Sequence, residues 1–146
     1  MKRQGRRFKL GVIAVLLVLF PLVVFATYLE ARKVVEGVVQ TFVELGFHVS
    51  SNFLHGYLEK GKSDYLETLF YKGNTYILVA GASNNTKDID ILVYDQNWEN
   101  VARDKDNGNR AVIQYTPRGT GPHKIKINLK NCDGEGANWC FITGYK

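Results

Sequence analysis

The hydrophobic period of the sequence changes once, at Gly46. Before this residue, apolar side chains recur at the three- and four-residue steps of an amphipathic helix. After it, apolar and polar residues alternate in short stretches separated by Gly, Asn, Asp, Ser and Pro, which is typical of antiparallel strands. Because no helical segment separates the strands, the pattern predicts an all-β domain preceded by one helix.

The helix is predicted over residues 29–45, and Gly46 stands where a C-terminal glycine ends a helix. Its β-branched residues lower its intrinsic helicity, so it needs a surface to pack against. Two roles are open: it covers an edge or face of the following domain, or it associates with a partner. The apolar face consists of Ala31, Val34, Val35, Val38, Val39, Phe42 and Leu45.

Eight short strands are predicted after the helix, at spacings typical of an antiparallel β-sandwich of jelly-roll type. Sheets with one apolar and one polar face must pack on each other, which favours a sandwich as the closure. The predicted strands are Phe53–Glu59, Tyr65–Tyr71, Thr75–Ala80, Ile89–Tyr94, Glu99–Arg103, Ala111–Tyr115, Lys124–Leu129 and Trp139–Gly144.

The N-terminus predicts export. Five cationic residues among the first nine precede an uncharged apolar run from Leu10 to Ala26, which ends in Val24-Phe25-Ala26. Small residues at the −3 and −1 positions are typical of a secretory signal, so residues 1–26 are interpreted as a cleaved signal peptide. The alternative is an uncleaved inner-membrane anchor over residues 10–29. Both place the rest of the chain in the periplasm or outside the cell.

The charge balance excludes nucleic acid as a partner class. The whole chain has 19 basic and 14 acidic residues, but five of the basic ones lie before Thr27. The remainder carries 14 of each, 19 − 5 = 14, and therefore has no net charge. Without a sustained positive field, a polyanionic nucleic acid is not attracted.

Cys132 and Cys140 enclose seven residues that include two glycines. In an oxidising compartment such a pair predicts a disulfide. A metal site is the alternative, but the sequence has no Cys-x-x-Cys or His-Glu-x-x-His motif, and its three histidines share no ligand spacing.

Acidic residues cluster around one strand and one turn, which raises the hypothesis of a calcium site. The simpler interpretation is that these residues cap turns and keep a sheet edge soluble. Tyr115 occupies the twelfth position counted from the first acid of the turn, where an EF-hand needs glutamate. The weak calcium candidates are Asp88, Asp90, Asp104, Asp106 and Asn107.

Catalysis is not predicted, because the serines lie in no nucleophile motif. Aromatic residues are the remaining lead, since exposed rings on a sandwich bind sugars or peptides by stacking. Most tyrosines of such a domain pack in its core or across strands. Trp98, in the turn after Asp95, is the best candidate for an exposed, ligand-binding ring.

Residues 55–145 resemble the bacterial pre-peptidase C-terminal (PPC) domain, a secreted β-sandwich. The resemblance covers about 90 residues in order. It rests on Gly56-Tyr57-Leu58, Leu69-Phe70-Tyr71-Lys72-Gly73, Asp88-Ile89-Asp90-Ile91-Leu92-Val93-Tyr94-Asp95, Val101-Ala102-Arg103-Asp104 and the stretch from Thr116 to Ile127, in which His123 replaces the usual tyrosine. The helix and the late cysteines resemble a stand-alone secreted subset of the family, which has no established activity to transfer.

The sequence therefore predicts a signal peptide or anchor over 1–26, a helical segment over 27–50 and a PPC-like β-sandwich over 51–146. The expected function is an exported, non-enzymatic binding or accessory module without a cofactor, whose extracytoplasmic ligand the sequence does not identify; a polysaccharide and a peptide are the open candidates. The alternatives are a membrane-tethered assembly protein that associates through the 29–45 helix, and a calcium-binding adhesion module.

Overall fold

The computed structural model describes residues 27–146. The predicted signal peptide and most of the predicted anchor lie outside the described residues. Helix α1 covers 27–44 and is followed by nine strands. These are β1 (His48–Val49), β2 (Leu54–Glu59), β3 (Ser63–Phe70), β4 (Tyr76–Ala82), β5 (Thr86–Tyr94), β6 (Asn100–Arg103), β7 (Arg110–Tyr115), β8 (Gly121–Cys132) and β9 (Gly136–Tyr145).

The strands form two antiparallel sheets. The helix-side sheet has five strands in the order β7-β4-β9, with β1 and β2 pairing along the free edge of β9. The outer sheet has four strands in the order β3-β8-β5-β6. The predicted all-β sandwich of jelly-roll type with one preceding helix is confirmed. β1 was not predicted, and β8 and β9 are longer than predicted.

The main core lies between the two sheets and follows from the alternation in the strands. The outer sheet contributes the fully buried residues of β5 and β8, and the helix-side sheet contributes alternate residues of β4 and β9. Burial of each large aliphatic side chain stabilises the fold by about 1.5–3 kcal/mol. The outer sheet contributes chiefly Ile89, Ile91, Val93, Ile125, Ile127 and Leu129.

A second core lies between α1 and the opposite face of the helix-side sheet. Ala31 and Val35 of α1 are fully buried there against Ile77, Val79 and Ile142. Strand β4 is therefore buried on both faces along its whole length. Of the two roles predicted for the helix, covering a face of its own domain is the one that the structure contains.

The end of the helix has the geometry that Gly46 predicts. Gly46 has a φ of 85°, its N–H donates to the Val43 carbonyl at 3.0 Å, and the Phe47 N–H donates to the Phe42 carbonyl at 3.0 Å. These are the two bonds of a Schellman motif. The rings of Phe42 and Phe47 pack edge to face at 5.5 Å, which turns the chain into β1. Within residues 27–146, no helix is both long and apolar enough to cross a membrane.

The predicted disulfide between Cys132 and Cys140 is wrong. Both cysteines are free and buried. Cys132 ends β8 in the outer sheet and packs in the main core, whereas Cys140 lies in β9 on the side that faces α1. The short loop between them carries the chain from one sheet to the other, so the backbone of the helix-side sheet separates the two thiols. The argument for export consequently rests on the N-terminal sequence.

Gly81 permits the close approach of α1 to β4. A Cβ at this position would lie 2.8 Å from the Ala31 carbonyl oxygen and 2.9 Å from a Val35 methyl group. We expect Gly81→Ala to lower the free energy of unfolding by about 1–3 kcal/mol, because the helix must shift to admit the methyl group. Urea unfolding measures the loss, and faster amide hydrogen exchange in 27–44 locates it.

Gly119→Ala is the matched control, since its Cβ would meet nothing within 4 Å and Gly119 has no positive φ. This change should leave the stability unchanged or raise it by a few tenths of a kcal/mol, roughly, through the unfolded chain. Equal stability of both variants would contradict the close packing of α1 on Gly81.

Both thiols should be inert in the folded protein. Burial raises the pKa of the Cys140 thiol to about 11, so that little thiolate exists near neutral pH, and Cys132 is buried as well. We expect a thiol reagent at about pH 8 to label neither cysteine in the native protein and both after denaturation without reductant. If no thiol reacts after denaturation without reductant, the two cysteines form a disulfide after all.

Candidate functional site

The outward face of the outer sheet carries large polar and aromatic side chains in cross-strand rows. In one row Tyr65 of β3 lies opposite Lys126 of β8, Lys126 lies opposite Leu92 of β5, and Leu92 lies opposite Arg103 of β6. The alternation that buries the isoleucines of β5 and β8 turns these residues outward. In the next row, Lys124 lies between Glu67 and Tyr94.

Trp98 lies over this face from the turn between β5 and β6. Its φ of 62° is in the left-handed region, and it is the one non-glycine residue with a positive φ among residues 27–146. Asp95 holds the turn: its Oδ1 accepts the N–H groups of Asn97 at 2.8 Å and Glu99 at 3.0 Å, and its carbonyl accepts the Trp98 N–H at 3.0 Å. The position of the indole is therefore set by the turn itself.

Three aromatic side chains form what we call the aromatic platform: Tyr65, Tyr94 and Trp98. The indole centroid lies 6.0 Å from the Tyr94 ring and 6.4 Å from the Tyr65 ring. Trp98 is 56% exposed and Tyr65 is 50% exposed. The prediction that Trp98 is an exposed ring thus agrees with its place in the structure, and its neighbours supply a surface wider than a single side chain.

Lysine side chains lie against the platform. The Lys124 ammonium lies over the Trp98 ring at 3.9 Å from its centroid, and the Lys126 ammonium lies 5.8 Å from the Tyr65 centroid. Both are within the distance at which cation–π attraction operates. Lys124 also contacts Glu67 at 3.4 Å. The platform is therefore apolar in its rings and positively charged at its border.

The five weak calcium candidates fall into two groups. Asp88 and Asp90 share Lys130, at 2.8 Å and 3.3 Å, so that their charge is partly neutralised by this lysine. The other three, Asp104, Asp106 and Asn107, border a groove of about 670 Å³ beside α1, which Asp88 and Asp90 do not line. Within the described residues, no group of three or more His, Cys, Asp or Glu side chains could hold a metal ion.

Burial perturbs two of these carboxyl groups. It raises the pKa of Asp104, and neighbouring Asp106 raises it further, while the Val112 N–H, 3.5 Å from Oδ1, opposes the rise. Burial also raises the pKa of Asp90, against the opposing effect of Lys130. Asp104 Oδ2 has no hydrogen-bond partner in the described part of the chain. Each ionised carboxylate therefore sits in surroundings that favour its neutral form.

A polar groove of about 560 Å³ adjoins the turn of Trp98 and was not predicted. His123 lies at its base, and its Nδ1 is 2.9 Å from the Gly121 carbonyl oxygen, which can only accept. The proton is thereby placed on Nδ1, and Nε2 accepts from the Tyr115 hydroxyl at 3.0 Å. The sequence signal was His123 at a position where the PPC pattern has tyrosine.

The variant Asp104→Asn tests whether the Asp104 carboxyl binds calcium or only takes part in the structure of its turn. The pKa of Asp104 is higher in the folded chain than its ordinary value of 3.8. The protonated carboxyl therefore stabilises the fold fully below pH 3.8, and this stabilisation is lost as the pH rises through the folded pKa. The amide should therefore raise the melting temperature near pH 7 and change it little near pH 3. Differential scanning fluorimetry at both pH values measures this.

The melting temperatures of the wild type and of Asp104→Asn are then measured with millimolar calcium chloride. We expect calcium to leave the melting temperature of both proteins unchanged. Glu135→Gln, at an exposed residue outside that groove, controls for the loss of one negative charge. A rise of several degrees in the wild type that disappears in Asp104→Asn would establish a calcium site, as ligand linkage requires.

The fold is similar to that of several solved structures. A periplasmic inhibitor of g-type lysozyme from Aeromonas hydrophila, PliG, matches with a TM-score of 0.53 at 16% identity, over 70% of this chain and 90% of that one. The PPC domain of a collagenase from Bacillus anthracis matches with a TM-score of 0.47 at 16% identity, over 61% and 85%. A carbohydrate-binding module described as CBM4 matches with a TM-score of 0.44 at 16% identity, over 64% and 74%.

No protein-family model matches the sequence, and no curated protein matches it. The likenesses concern the fold alone, since each is well below 25% identity. At that level the chain has a β-sandwich fold, and a PPC domain is among the solved structures that it resembles.

Proposed function

We propose that the protein is an exported, non-enzymatic binding module and that the aromatic platform is its ligand surface for a polysaccharide. The observation that carries the proposal is the exposure of Trp98 and Tyr65 side by side on an open sheet face, bordered by Lys124. Export is supported by the cationic and apolar sequence of residues 1–26, which precedes the described part of the chain.

The geometry of the platform suits a sugar chain. A pyranose ring offers apolar C–H faces that an aromatic ring desolvates by stacking, with its hydroxyl groups left to the polar rim. A sheet face is flat and open at both ends, which fits an extended polymer better than a compact small molecule. The centroids of Trp98 and Tyr65 are 6.4 Å apart with their planes at 71°, so a sugar that stacks on one ring meets the other ring as a side wall.

Pre-organisation supports the same role. The turn that carries Trp98 is held by three hydrogen bonds that Asp95 accepts from backbone N–H groups, one of them that of Trp98, and the Lys124 ammonium lies over the indole ring. A side chain that is already ordered loses little conformational freedom when a ligand stacks on it. Exposed aromatic rings without such support are ordinary surface features.

The surroundings of the histidines support a non-enzymatic role. His55 packs against Tyr28, His48 lies against Tyr145, and His123 is hydrogen-bonded to Tyr115. A nucleophilic mechanism needs a base directed at a serine, threonine or cysteine. In these contacts each imidazole faces an aromatic residue instead.

The alternative of assembly through the 29–45 helix receives less support. The apolar face of α1 is covered by its own sheet through Ala31 and Val35. The large apolar residues that stay exposed in or just after α1, among those described, are Leu29, Val43 and Leu45. They are too few to form the continuous seam that helix association uses.

Affinity electrophoresis of the purified protein tests the proposal. Gels containing hydroxyethyl cellulose, xylan, polygalacturonate or gelatin are compared, and we expect retardation by at least one of the three polysaccharides. Trp98→Ala should weaken that retention by at least about tenfold, because it removes the largest stacking surface. Tyr71→Ala is the matched control, since Tyr71 is also about half exposed but does not belong to the platform.

Retention in gelatin alone would replace the polysaccharide with a peptide ligand. Retention that Trp98→Ala and Tyr71→Ala weaken equally, or retention in none of the gels, would contradict the assignment of the platform as the ligand surface.

A further inference from the structure

We infer that the polysaccharide bound by the platform is acidic, and that Lys126 and Arg103 bind its carboxylate groups. This inference rests on the proposed function and adds the chemical class of the ligand. It follows from how the charges of the outer sheet are distributed, which is a separate observation from the exposure of the rings.

The charges on this face are paired unequally. Near one end, Lys130 is tied to Asp88 and Asp90. Around the platform, Lys126 forms no ion pair with any acidic side chain among residues 27–146, and Arg103 acts on Asp90 only from a distance, lowering the pKa of that carboxyl without an ion pair. After residue 26 the domain has as many acidic as basic residues, so it carries no net charge. Because Lys126 and Arg103 are not held in ion pairs, the field around the platform is nevertheless locally positive.

Lys124 adds to this field only in part. Its ammonium lies over Trp98 and is 3.4 Å from Glu67, whose side chain is 75% exposed. An exposed pair of this kind is weak and is readily exchanged for another carboxylate. An incoming acidic sugar can therefore replace Glu67 at Lys124 without leaving a buried charge behind.

The spacing of Lys126 and Arg103 fits a polymer. Lys126 and Arg103 are separated by one strand, since both lie opposite Leu92 from its two sides. Adjacent strands lie about 4.8 Å apart, which places the two backbones about 10 Å from each other. Leu92, which is half-buried, provides an apolar floor between them. Two cations across such a floor match a chain that repeats its carboxylates along its length.

The combination of charge and rings separates this ligand from other anions. Arg103 and Lys126 would attract any polyanion, but Tyr65 lies directly beside Lys126 in the same row. A carboxylate attached to a pyranose ring can contact the cation while the ring stacks on the aromatic side chain. An anion without such a ring can contact Lys126 and Arg103 but cannot stack on Tyr65.

Affinity electrophoresis of the exported protein tests the inference with three probes: polygalacturonate, neutral hydroxyethyl cellulose and poly-L-glutamate. We expect the strongest retention by polygalacturonate, with retention that falls as sodium chloride is raised. Lys126→Gln and Arg103→Gln should each weaken binding to polygalacturonate by about two- to fivefold, and the double variant by roughly tenfold.

Lys87→Gln is the matched control. It removes the same charge from an exposed lysine that is paired with Asp133 and is not part of the platform, so its affinity should stay within about twofold of the wild type. Melting temperatures of all variants establish that each is folded.

The outcomes distinguish the inference from the proposed function. Binding of hydroxyethyl cellulose as tight as that of polygalacturonate, lost in Trp98→Ala but unchanged in Lys126→Gln and Arg103→Gln, would overturn the acidic ligand and leave the platform as a sugar-binding surface. Equal retention by poly-L-glutamate would overturn the sugar ring as part of the ligand. No retention by any polysaccharide would overturn both.

Discussion

The burial of strand β4 on both of its faces is the constraint on which the rest of the structure depends. Strand β4 has no exposed residue, because its alternate side chains enter two different cores. A sheet of this kind needs a covering layer on each side. The outer sheet provides one layer and α1 provides the other. The β-branched helix, weak by itself, is stabilised by the surface that it covers.

This arrangement decides which surface is free for binding. α1 covers the central strands of the helix-side sheet, whereas no helix among residues 27–146 covers the outward face of the outer sheet. That face presents polar and aromatic residues instead of the valines and isoleucines that alternate with them on β5 and β8. The alternation of apolar and polar residues in β5 and β8 therefore determines on which face the platform lies.

The sequence predicts those features that depend on local pattern. Alternation and turn residues identify eight strands, the glycine at 46 identifies the helix end, and the turn after Asp95 identifies Trp98 as exposed. Periodicity also predicts the apolar face of α1, but it leaves open whether that face meets its own domain or another chain. Packing on Ile77 and Val79 decides this point.

Features that depend on the path of the chain in space are not predictable in this way. The spacing of Cys132 and Cys140 is suitable for a disulfide within one hairpin, but the chain changes sheets between them. The pairing of charges is hidden for a similar reason. Lys130 and Lys126 look equivalent in a strand of alternating lysines, and only the register of β8 against β5 gives one of them two carboxylates and the other none.

The conformation of Trp98 connects the stability of the fold to its proposed use. A non-glycine residue in the left-handed region costs about 1–2 kcal/mol. Two backbone N–H groups bound to the Asp95 carboxylate offset such a cost, since hydrogen bonds to a charged group contribute about 1.5–3 kcal/mol each. The turn can therefore hold the indole over Tyr94 and Lys124 before any ligand arrives. Under the proposed function, a sugar that stacks on the indole meets a surface that the fold has already ordered, and Asp95 is then a positioning residue that does not itself contact the ligand.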